Sequence, residues 1–465
     1  MEQFDLVVIG AGPGGYPAAI RGAQLGAKVA IVEREQIGGT CLNWGCIPTK
    51  TLIAASSLYS EIAGAAKLGI RSDKASIDFA GMMQHKKNVV EQLQNGVNQL
   101  LKANGVTVLS GTASFEGRNR INITSKTGAK EIGAAKTIIV TGSTSVVPGF
   151  LPKSDRIIES RGFLDMTELP KNLIVLGGGY IGCELACMAA QLGTKVTIVE
   201  LLEDILLQMD TEVRKEVRRH METVLGIKIM TGKALSAVKV SGKLVKATVG
   251  DATVDGDCLL VAVGRKPVTD GLTIEKAGLK ANDKGFIPTD DYGRTAVATI
   301  YAAGDVTGRI MLAHAATSQG VIAAENACTR KLRKFESLVP AVVFTIPEAA
   351  YVGLSEQEAS GRGIPVSIGK FPFRALGRAM AINHVEGFVK LVSDQESGRI
   401  LGAAAVGVHA TDLIAEATLA IRNELTVDSL GETIHAHPTF PELWMEAAHA
   451  SHGTAIHAAP VRKRK

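Results

Sequence analysis

Short apolar runs broken by glycine set the pattern at the start of this chain. Leu6-Val7-Val8-Ile9 is continuously apolar and runs straight into Gly10-Ala11-Gly12-Pro13-Gly14-Gly15. A stretch of small residues follows as far as Gly26, and Lys28-Val29-Ala30-Ile31-Val32 then closes on the acid Glu33. An apolar run of this length, bounded by turn residues, predicts a buried strand, and the small-residue stretch predicts a helix lying close to it. The whole pattern recurs 167 residues later. Leu173-Ile174-Val175-Leu176 leads into Gly177-Gly178-Gly179-Tyr180-Ile181-Gly182, then Gly193, then Lys195-Val196-Thr197-Ile198-Val199-Glu200. Even Gln24-Leu25-Gly26 is matched by Gln191-Leu192-Gly193. Residues 173–190 are long and apolar enough to suggest a membrane span. They contain Glu184 and four glycines, however, and lie inside the repeat, so a membrane span is not expected.

Each copy predicts strand, glycine turn, helix, strand and acid, which is the signature of a dinucleotide site. The first glycine (Gly10, Gly177) makes the tight turn. The second (Gly12, Gly179) lets the backbone approach a pyrophosphate. The third (Gly15, Gly182) lets the helix pack close to the strand, and the helix N-terminus faces the phosphates. Glu33 and Glu200 are placed to accept hydrogen bonds from a ribose diol. Two such sites suggest a flavin and a nicotinamide side by side. A 2′-phosphate would meet like charge at Glu200, and Leu201-Leu202-Glu203 offers no arginine, so NAD is expected over NADP.

Composition adds bounds. At 465 residues the chain should hold roughly three domains. It is 46% hydrophobic and 21% charged, as expected of a globular protein. The net charge is +5, but Arg462, Lys463, Arg464 and Lys465 supply four of those charges, and the run reads as a solvated, disordered end. The body carries no basic face, so no nucleic-acid partner is expected. Met1-Glu2-Gln3-Phe4-Asp5 has neither a basic n-region nor an apolar h-region, and a bacterial-type cytoplasm is expected. Six cysteines do not make a disulfide scaffold, and in a reducing compartment a disulfide is more often catalytic than structural.

Two of those cysteines lie in Gly38-Gly39-Thr40-Cys41-Leu42-Asn43-Trp44-Gly45-Cys46-Ile47-Pro48-Thr49-Lys50, just after the first acid. Thiols placed against a bound dinucleotide can pass two electrons to a redox cofactor. In a regular helix residues five apart point about 140° away from each other. A bridge between Cys41 and Cys46 would therefore need a distorted segment, to which Gly45 and Pro48 are suited. Cys183 and Cys187 sit four apart on the helix after the second glycine turn. They serve either small-residue packing, the usual role of such a pair, or a metal or redox site. Cys258 reads as a strand residue and Cys328 as a late helix residue. His437 stands five residues before Glu442, so a carboxylate could orient an imidazole base. His435 completes no metal-ligand set, and no metal is expected. His449, His452 and His457 read as solvated.

With these motifs, and with Gly264-Arg265-Lys266-Pro267, Ala302-Ala303-Gly304-Asp305-Val306 and His435-Ala436-His437-Pro438-Thr439-Phe440-Pro441-Glu442, the chain resembles the FAD-dependent pyridine nucleotide–disulfide oxidoreductase family. The resemblance runs from about residue 4 to about residue 450. One departure is Leu376, where the family usually has Asn.

The resemblance implies that Cys41 and Cys46 form a redox disulfide, Cys41 exchanging with the substrate sulfur and Cys46 lying nearer the flavin. It implies that His437 is the base and Glu442 its orienter, both donated by the other subunit of a homodimer with composite active sites. Around FAD it places Gly10, Gly12, Gly15, Glu33, Thr40, Lys50, Thr141, Gly142, Ser143, Asp305 and Ala313, the last opening a helix whose positive end faces the flavin. Around NAD it places Gly177, Gly179, Tyr180, Ile181, Gly182, Glu184, Glu200 and Gly264. Lys50 and Glu184 resemble the family's ion pair beside the flavin. Tyr180 either lies over the nicotinamide pocket or packs.

The implied fold class is α/β, with two Rossmann-like dinucleotide-binding domains, for FAD and NAD, and a C-terminal α+β dimerisation domain. The boundaries expected are 1–143 for the first part of the FAD domain, 144–265 for the NAD domain, 266–335 for the return to the FAD domain, and 336–465 for the interface domain with its basic tail. Strands are expected at Val342-Val343-Phe344-Thr345 and Gly387-Phe388-Val389-Lys390-Leu391-Val392. The implied activity oxidises dihydrolipoamide to lipoamide and reduces NAD, with lipoyl domains of 2-oxo acid dehydrogenase complexes or a glycine cleavage protein as partners. The alternatives are an NADPH-dependent disulfide or mercuric reductase of the same family and a non-catalytic flavoprotein subunit. Glu200 weighs against the reductases, and the tail lacks the cysteine pair of a mercuric enzyme. The full set Cys41, Cys46, His437 and Glu442 weighs against a non-catalytic subunit.

Overall fold

The computed structural model describes residues 1–71, 73 and 75–459, so the basic run Arg462 to Lys465 lies outside the described residues. Two parallel sheets carry the repeat. In the first, Thr107–Ser110, Val29–Glu33, Glu2–Ile9 and Gly128–Ile139 lie side by side in that order, with Ile300–Ala302 beyond them. In the second, the order is Lys228–Met230, Lys195–Val199, Asn172–Leu176, Cys258–Val261 and Ile157–Glu159. Strand for strand, the orders correspond. So do the registers: Leu6 faces Val29 and Ile9 faces Val32, while Leu173 faces Val196 and Leu176 faces Val199. The 167-residue offset in sequence is therefore also an offset in hydrogen bonding. One strand is permuted. The outermost strand comes last in the first sheet, at Ile300–Ala302, and first in the second, at Ile157–Glu159.

The strands are apolar on both faces because both faces are covered. Leu6 and Val8 pack under the helix Gly15–Gln24, while Val7 and Ile9 face a second cluster with Phe115, Ile121 and Ile287. An antiparallel meander accompanies each sheet: Thr112–Gly117, Arg120–Ser125 and the start of Gly128–Ile139 in the first, and Leu235–Ser241, Leu244–Val249 and Ala252–Gly256 in the second. Between the modules, Ser143–Ser145 pairs antiparallel with Arg265–Pro267.

From Ala341 the texture changes. Ala341–Val343, Ala349–Gly353, Ile400–Val406, Phe388–Asp394 and Val366–Pro372 form a five-stranded antiparallel sheet in that order. The helices Ala410–Arg422 and Glu442–Ser451 contribute Leu413, Leu443 and Trp444 to its core, beside Phe371 and Phe373. The indole N–H of Trp444 donates to the Leu413 carbonyl at 3.0 Å, which satisfies the one polar atom of a fully buried ring. Lys390, in the middle of this sheet, is also fully buried. Its ammonium meets Asp210 at 3.1 Å, Glu212 at 2.9 Å and Glu356 at 2.7 Å. Asp210 and Glu212 open the helix Thr211–Thr223 of the second module, so this lysine fastens the module to the antiparallel sheet. Hydropathy alone gives no sign of it, since a lysine inside an apolar strand reads as one exposed position. Among the described residues no helix is long and apolar enough to cross a membrane.

Candidate functional site

The two glycine turns have one geometry. Gly10 and Gly177 sit at φ of +101° and +109°, a region open to glycine, and a Cβ on either would strike the backbone of the neighbouring strand. A Cβ on Gly15 would collide with the Gly10 carbonyl, and one on Gly182 with the Gly177 carbonyl. The middle glycines differ in kind. A Cβ on Gly12 would come no nearer than 3.8 Å to another atom, and one on Gly179 would meet nothing within 4 Å. Packing within the chain therefore demands the outer glycines and leaves a cradle over the middle ones, and a pyrophosphate fits such a cradle. The acids close each turn. Glu33 accepts from the Ala11 and Glu35 amides, both at 2.8 Å. Glu200 accepts from the Gly178 amide at 2.6 Å and the Leu202 amide at 2.8 Å.

The thiol segment is a broken helix. Gly39–Trp44 and Cys46–Gly64 are helical, and Gly45 between them departs from helical geometry at φ −136° and ψ −108°. That break brings the Cα atoms of Cys41 and Cys46 to 4.6 Å, and their sulfurs are bonded. A Cβ on Gly45 would stand 2.9 Å from the Thr40 carbonyl, so glycine is required where the helices meet. Pro48 falls in the first turn of the second helix, where a missing N–H does no harm. Cys46 is that helix's first residue, and the positive end of a 19-residue helix favours a thiolate there. Trp44, between the two thiols, lies under the Arg161 guanidinium at 4.0 Å, and Arg161 also pairs with Glu35 at 3.1 Å.

Lys50, one turn after Cys46, meets Glu184 at 2.6 Å. Glu184 is buried, and its other oxygen accepts from the Phe344 amide at 2.9 Å. The Lys50 ammonium also lies 4.7 Å from the centre of the Phe344 ring. Three other segments named from sequence converge as well. Ser143 donates to Asp305 at 2.5 Å, Arg265 donates to the Ser143 hydroxyl at 2.7 Å and to its carbonyl at 2.6 Å, and Thr141 donates to the Val268 carbonyl at 2.6 Å. Burial pulls the Arg265 guanidinium below its usual pKa, against the opposing pull of Asp305 and Glu159. The helix Ala313–Cys328 begins at Ala313 as expected. It touches the first glycine turn closely enough that a Cβ on Gly320 would collide with the Gly14 carbonyl.

The remaining thiols do not join this group. Burial pushes the Cys187 thiol up to about 12 and holds Cys183 well above its usual range, so both are packed thiols. His437 donates through Nδ1–H to Glu442 at 2.8 Å, and the second Glu442 oxygen takes the Thr439 amide at 2.7 Å. Burial raises the Glu442 carboxyl, but Thr439 and His437 outweigh it and leave the group below its usual value. The His437 ring is 77% exposed, and its hydrogen bonds among the described residues reach nothing in the thiol segment. His435 turns away to Glu416 at 2.8 Å. His452 and His457 are exposed, as expected of solvated residues, and pair with Asp428 at 2.8 Å and Glu446 at 2.7 Å.

Sequence reasoning quoted Arg265 but gave it no role, and it missed Phe344 and Arg161. An arginine just past the glycine that ends the apolar run Leu259 to Val263 was a signal for the first. The other two act through a backbone amide or through ring stacking, which no residue pattern announces.

Known proteins resemble this chain over its whole length. A family profile described as pyridine nucleotide-disulphide oxidoreductase matches residues 4–320, and the dimerisation domain of the same family matches residues 339–448. The chain is 43% identical to a dihydrolipoyl dehydrogenase from Chlamydia muridarum, over 99% of this chain and 100% of that protein. It is 44% identical to a dihydrolipoyl dehydrogenase from Haloferax volcanii, over 97% of each. Among solved structures, LpdA from Mycobacterium tuberculosis superposes with a TM-score of 0.90 at 28% identity, covering 97% of this chain and 99% of that one. The HOCl-induced flavoprotein disulfide reductase RclA from Escherichia coli gives 0.86 at 30% identity, covering 95% and 98%.

Proposed function

The chain belongs to the pyridine nucleotide-disulphide oxidoreductase family, and on that premise we propose that it oxidises dihydrolipoyl groups to lipoyl groups and reduces NAD. One observation carries the reading. A bonded Cys41–Cys46 pair sits at a helix break one turn from the Lys50–Glu184 pair, and Glu184 projects from the helix that follows the second glycine turn. The dithiol is thus joined by side chains to the nicotinamide module.

The first half of the cycle uses this chain's own groups. A substrate thiolate attacks the Cys41 sulfur, the disulfide opens, and Cys46 leaves as a thiolate held at a helix N-terminus. The second substrate thiol, deprotonated by His437, attacks the mixed disulfide, so that the lipoyl disulfide leaves and both chain cysteines are reduced. Glu442 fixes the His437 tautomer and stabilises its charged form. The exposed His437 is assigned to the partner subunit's active site, with residues 339–448 as the dimerisation domain. We assign Gly10, Gly12, Gly15, Glu33, Thr40, Lys50, Thr141, Gly142, Ser143, Asp305 and Ala313 to FAD, and Gly177, Gly179, Tyr180, Ile181, Gly182, Glu184, Glu200 and Gly264 to NAD. FAD, when bound, would supply a two-electron acceptor for the dithiol and a hydride donor for NAD. The lipoyl group is assigned to a carrier domain of a 2-oxo acid dehydrogenase or glycine cleavage system.

Stopped-flow reduction of the purified protein, followed at the flavin bands, tests this reading. Dihydrolipoamide and NADH should each reduce it rapidly, and glutathione and NADPH should not. Reduction by NADPH far faster than by NADH, with no response to dihydrolipoamide, would overturn the proposal in favour of an NADPH-dependent reductase.

A further inference from the structure

The helix Tyr180–Gln191 presents one face to a single stretch of the antiparallel domain. Tyr180 and Glu184 are one turn apart, so they lie on the same face. The Tyr180 phenol lies 3.4 Å from the Tyr351 phenol, within hydrogen-bond reach, and Glu184 takes the Phe344 amide at 2.9 Å. Cys187, a further turn on, lies against the Ile346 backbone. Three successive turns therefore dock on residues 344–351. Glu184 also meets Lys50, which stands one turn from Cys46. Tyr180 therefore stands on the same helix face as Glu184, directly after the open Gly179 cradle. Tyr351 belongs to the strand Ala349–Gly353, whose other neighbour Ile400–Val406 holds it in a full ladder. A ring on such a strand is a fixed point against which a residue at a glycine turn can be oriented.

We propose that Tyr351 is a positioning residue for Tyr180, fixing its phenol beside the nicotinamide pocket through the contact between the two hydroxyls. This rests on the assignment of Tyr180 to the NAD site. At 3.4 Å the contact is a long O–H···O hydrogen bond, in which either phenol can donate. A neutral hydrogen bond of this kind corresponds to about a two- to tenfold change in an equilibrium.

The test separates the two half-reactions by stopped flow in Tyr351→Phe, Tyr180→Phe and the double variant of the full-length holoenzyme. In Tyr351→Phe, flavin reduction by dihydrolipoamide should match wild type, while the NAD concentration needed for half-maximal reoxidation should rise about two- to tenfold. Tyr180→Phe should behave alike, and the double variant should be no worse than either single one. If Tyr351→Phe matches wild type in both half-reactions while Tyr180→Phe is impaired with NAD, the proposal falls and the assignment of Tyr180 stands. If neither variant alters the NAD half-reaction, that assignment falls and takes the proposal with it. If Tyr351→Phe slows both half-reactions equally, its role is structural and the proposal is overturned.

Discussion

The two nucleotide modules share register, turn geometry and acid, yet they face different neighbours. Positions 167 apart make the difference plain: Pro13 corresponds to Tyr180, and Pro17 to Glu184. In the first module one proline precedes the helix and another stands in its first turn, and the helix lies close against Ala313–Cys328, where a Cβ on Gly320 would collide with the Gly14 carbonyl. In the second, the same turns carry a phenol and a carboxylate that reach out to Tyr351, Phe344 and Lys50. What binds a dinucleotide is common to both. What distinguishes them is the side chains around the turn, which in one module let the helix seal to the protein and in the other connect it to the dithiol.

The largest effect should come from placing one lesion in both copies. Gly15→Ala and Gly182→Ala introduce equivalent collisions, each with the carbonyl of the first glycine. Forcing a methyl into such a contact costs about 1–3 kcal/mol or more. Gly15→Ala should purify with little flavin and melt earlier. Gly182→Ala should keep its flavin, measured by absorbance, while its reoxidation by NAD falls about tenfold to a hundredfold. Loss of flavin from both variants would break the distinction between the modules.

The acids give a smaller and more specific contrast. Glu200→Ala removes the acceptor that holds the Gly178 and Leu202 amides, and with it the charge opposed to a 2′-phosphate. Hydrogen bonds to a charged group are worth about 1.5–3 kcal/mol, so kcat/KM for NAD should drop about tenfold to a hundredfold and the preference over NADP should narrow. Glu33→Ala should weaken flavin retention and leave that preference intact. Glu184→Gln probes what only the second module has. It removes a buried negative charge one hydrogen bond from Lys50, so the flavin midpoint potential should rise on the order of 30 mV, equivalent to about 1.4 kcal/mol in a two-electron couple. A fall in potential would contradict the placing of this pair beside the flavin.

The doubled part of the fold was the most legible in the sequence, because apolar runs and glycines are dictated locally by burial and backbone sterics. The repeat of Gly10, Gly26 and Glu33 as Gly177, Gly193 and Glu200 carries through to the hydrogen-bond register. Cys41 and Cys46 were legible as a pair needing a break, and the break falls at Gly45. The joins between domains were not legible. The contacts of Lys390 with Asp210, of Arg265 with Ser143 and of Phe344 with Lys50 each join residues more than a hundred positions apart. No local period encodes such partners. The pairing of His452 with Asp428 and of His457 with Glu446 joins nearer residues, but at spacings that no helix or strand period marks.

The smallest predicted effect again separates the modules, this time through pH. Glu325, on Ala313–Cys328, takes Arg21 of the first module's helix at 2.8 Å and Arg333 at 2.7 Å. The position equivalent to Arg21 in the second module is Met188, which is buried and has no charge. Burial raises the Glu325 carboxyl, but its bonds to Arg333 and Arg21 outweigh that and leave it below its usual value. A carboxyl with a depressed pKa in the folded state contributes stability above its unfolded value, about 4.3, and loses that contribution as pH falls through the folded value. Arg21 and Arg333 are both partly exposed, which limits the gain to about 1 kcal/mol. Glu325→Gln should therefore melt about 1 °C below wild type at pH 7, and the gap should close as the pH is lowered past 4. Met188→Leu, in the equivalent position, should show a difference from wild type that does not vary with pH. If the Glu325→Gln gap widened on acidification, the tie between the first module and Ala313–Cys328 would have to rest on packing at Gly14 and Gly320 alone.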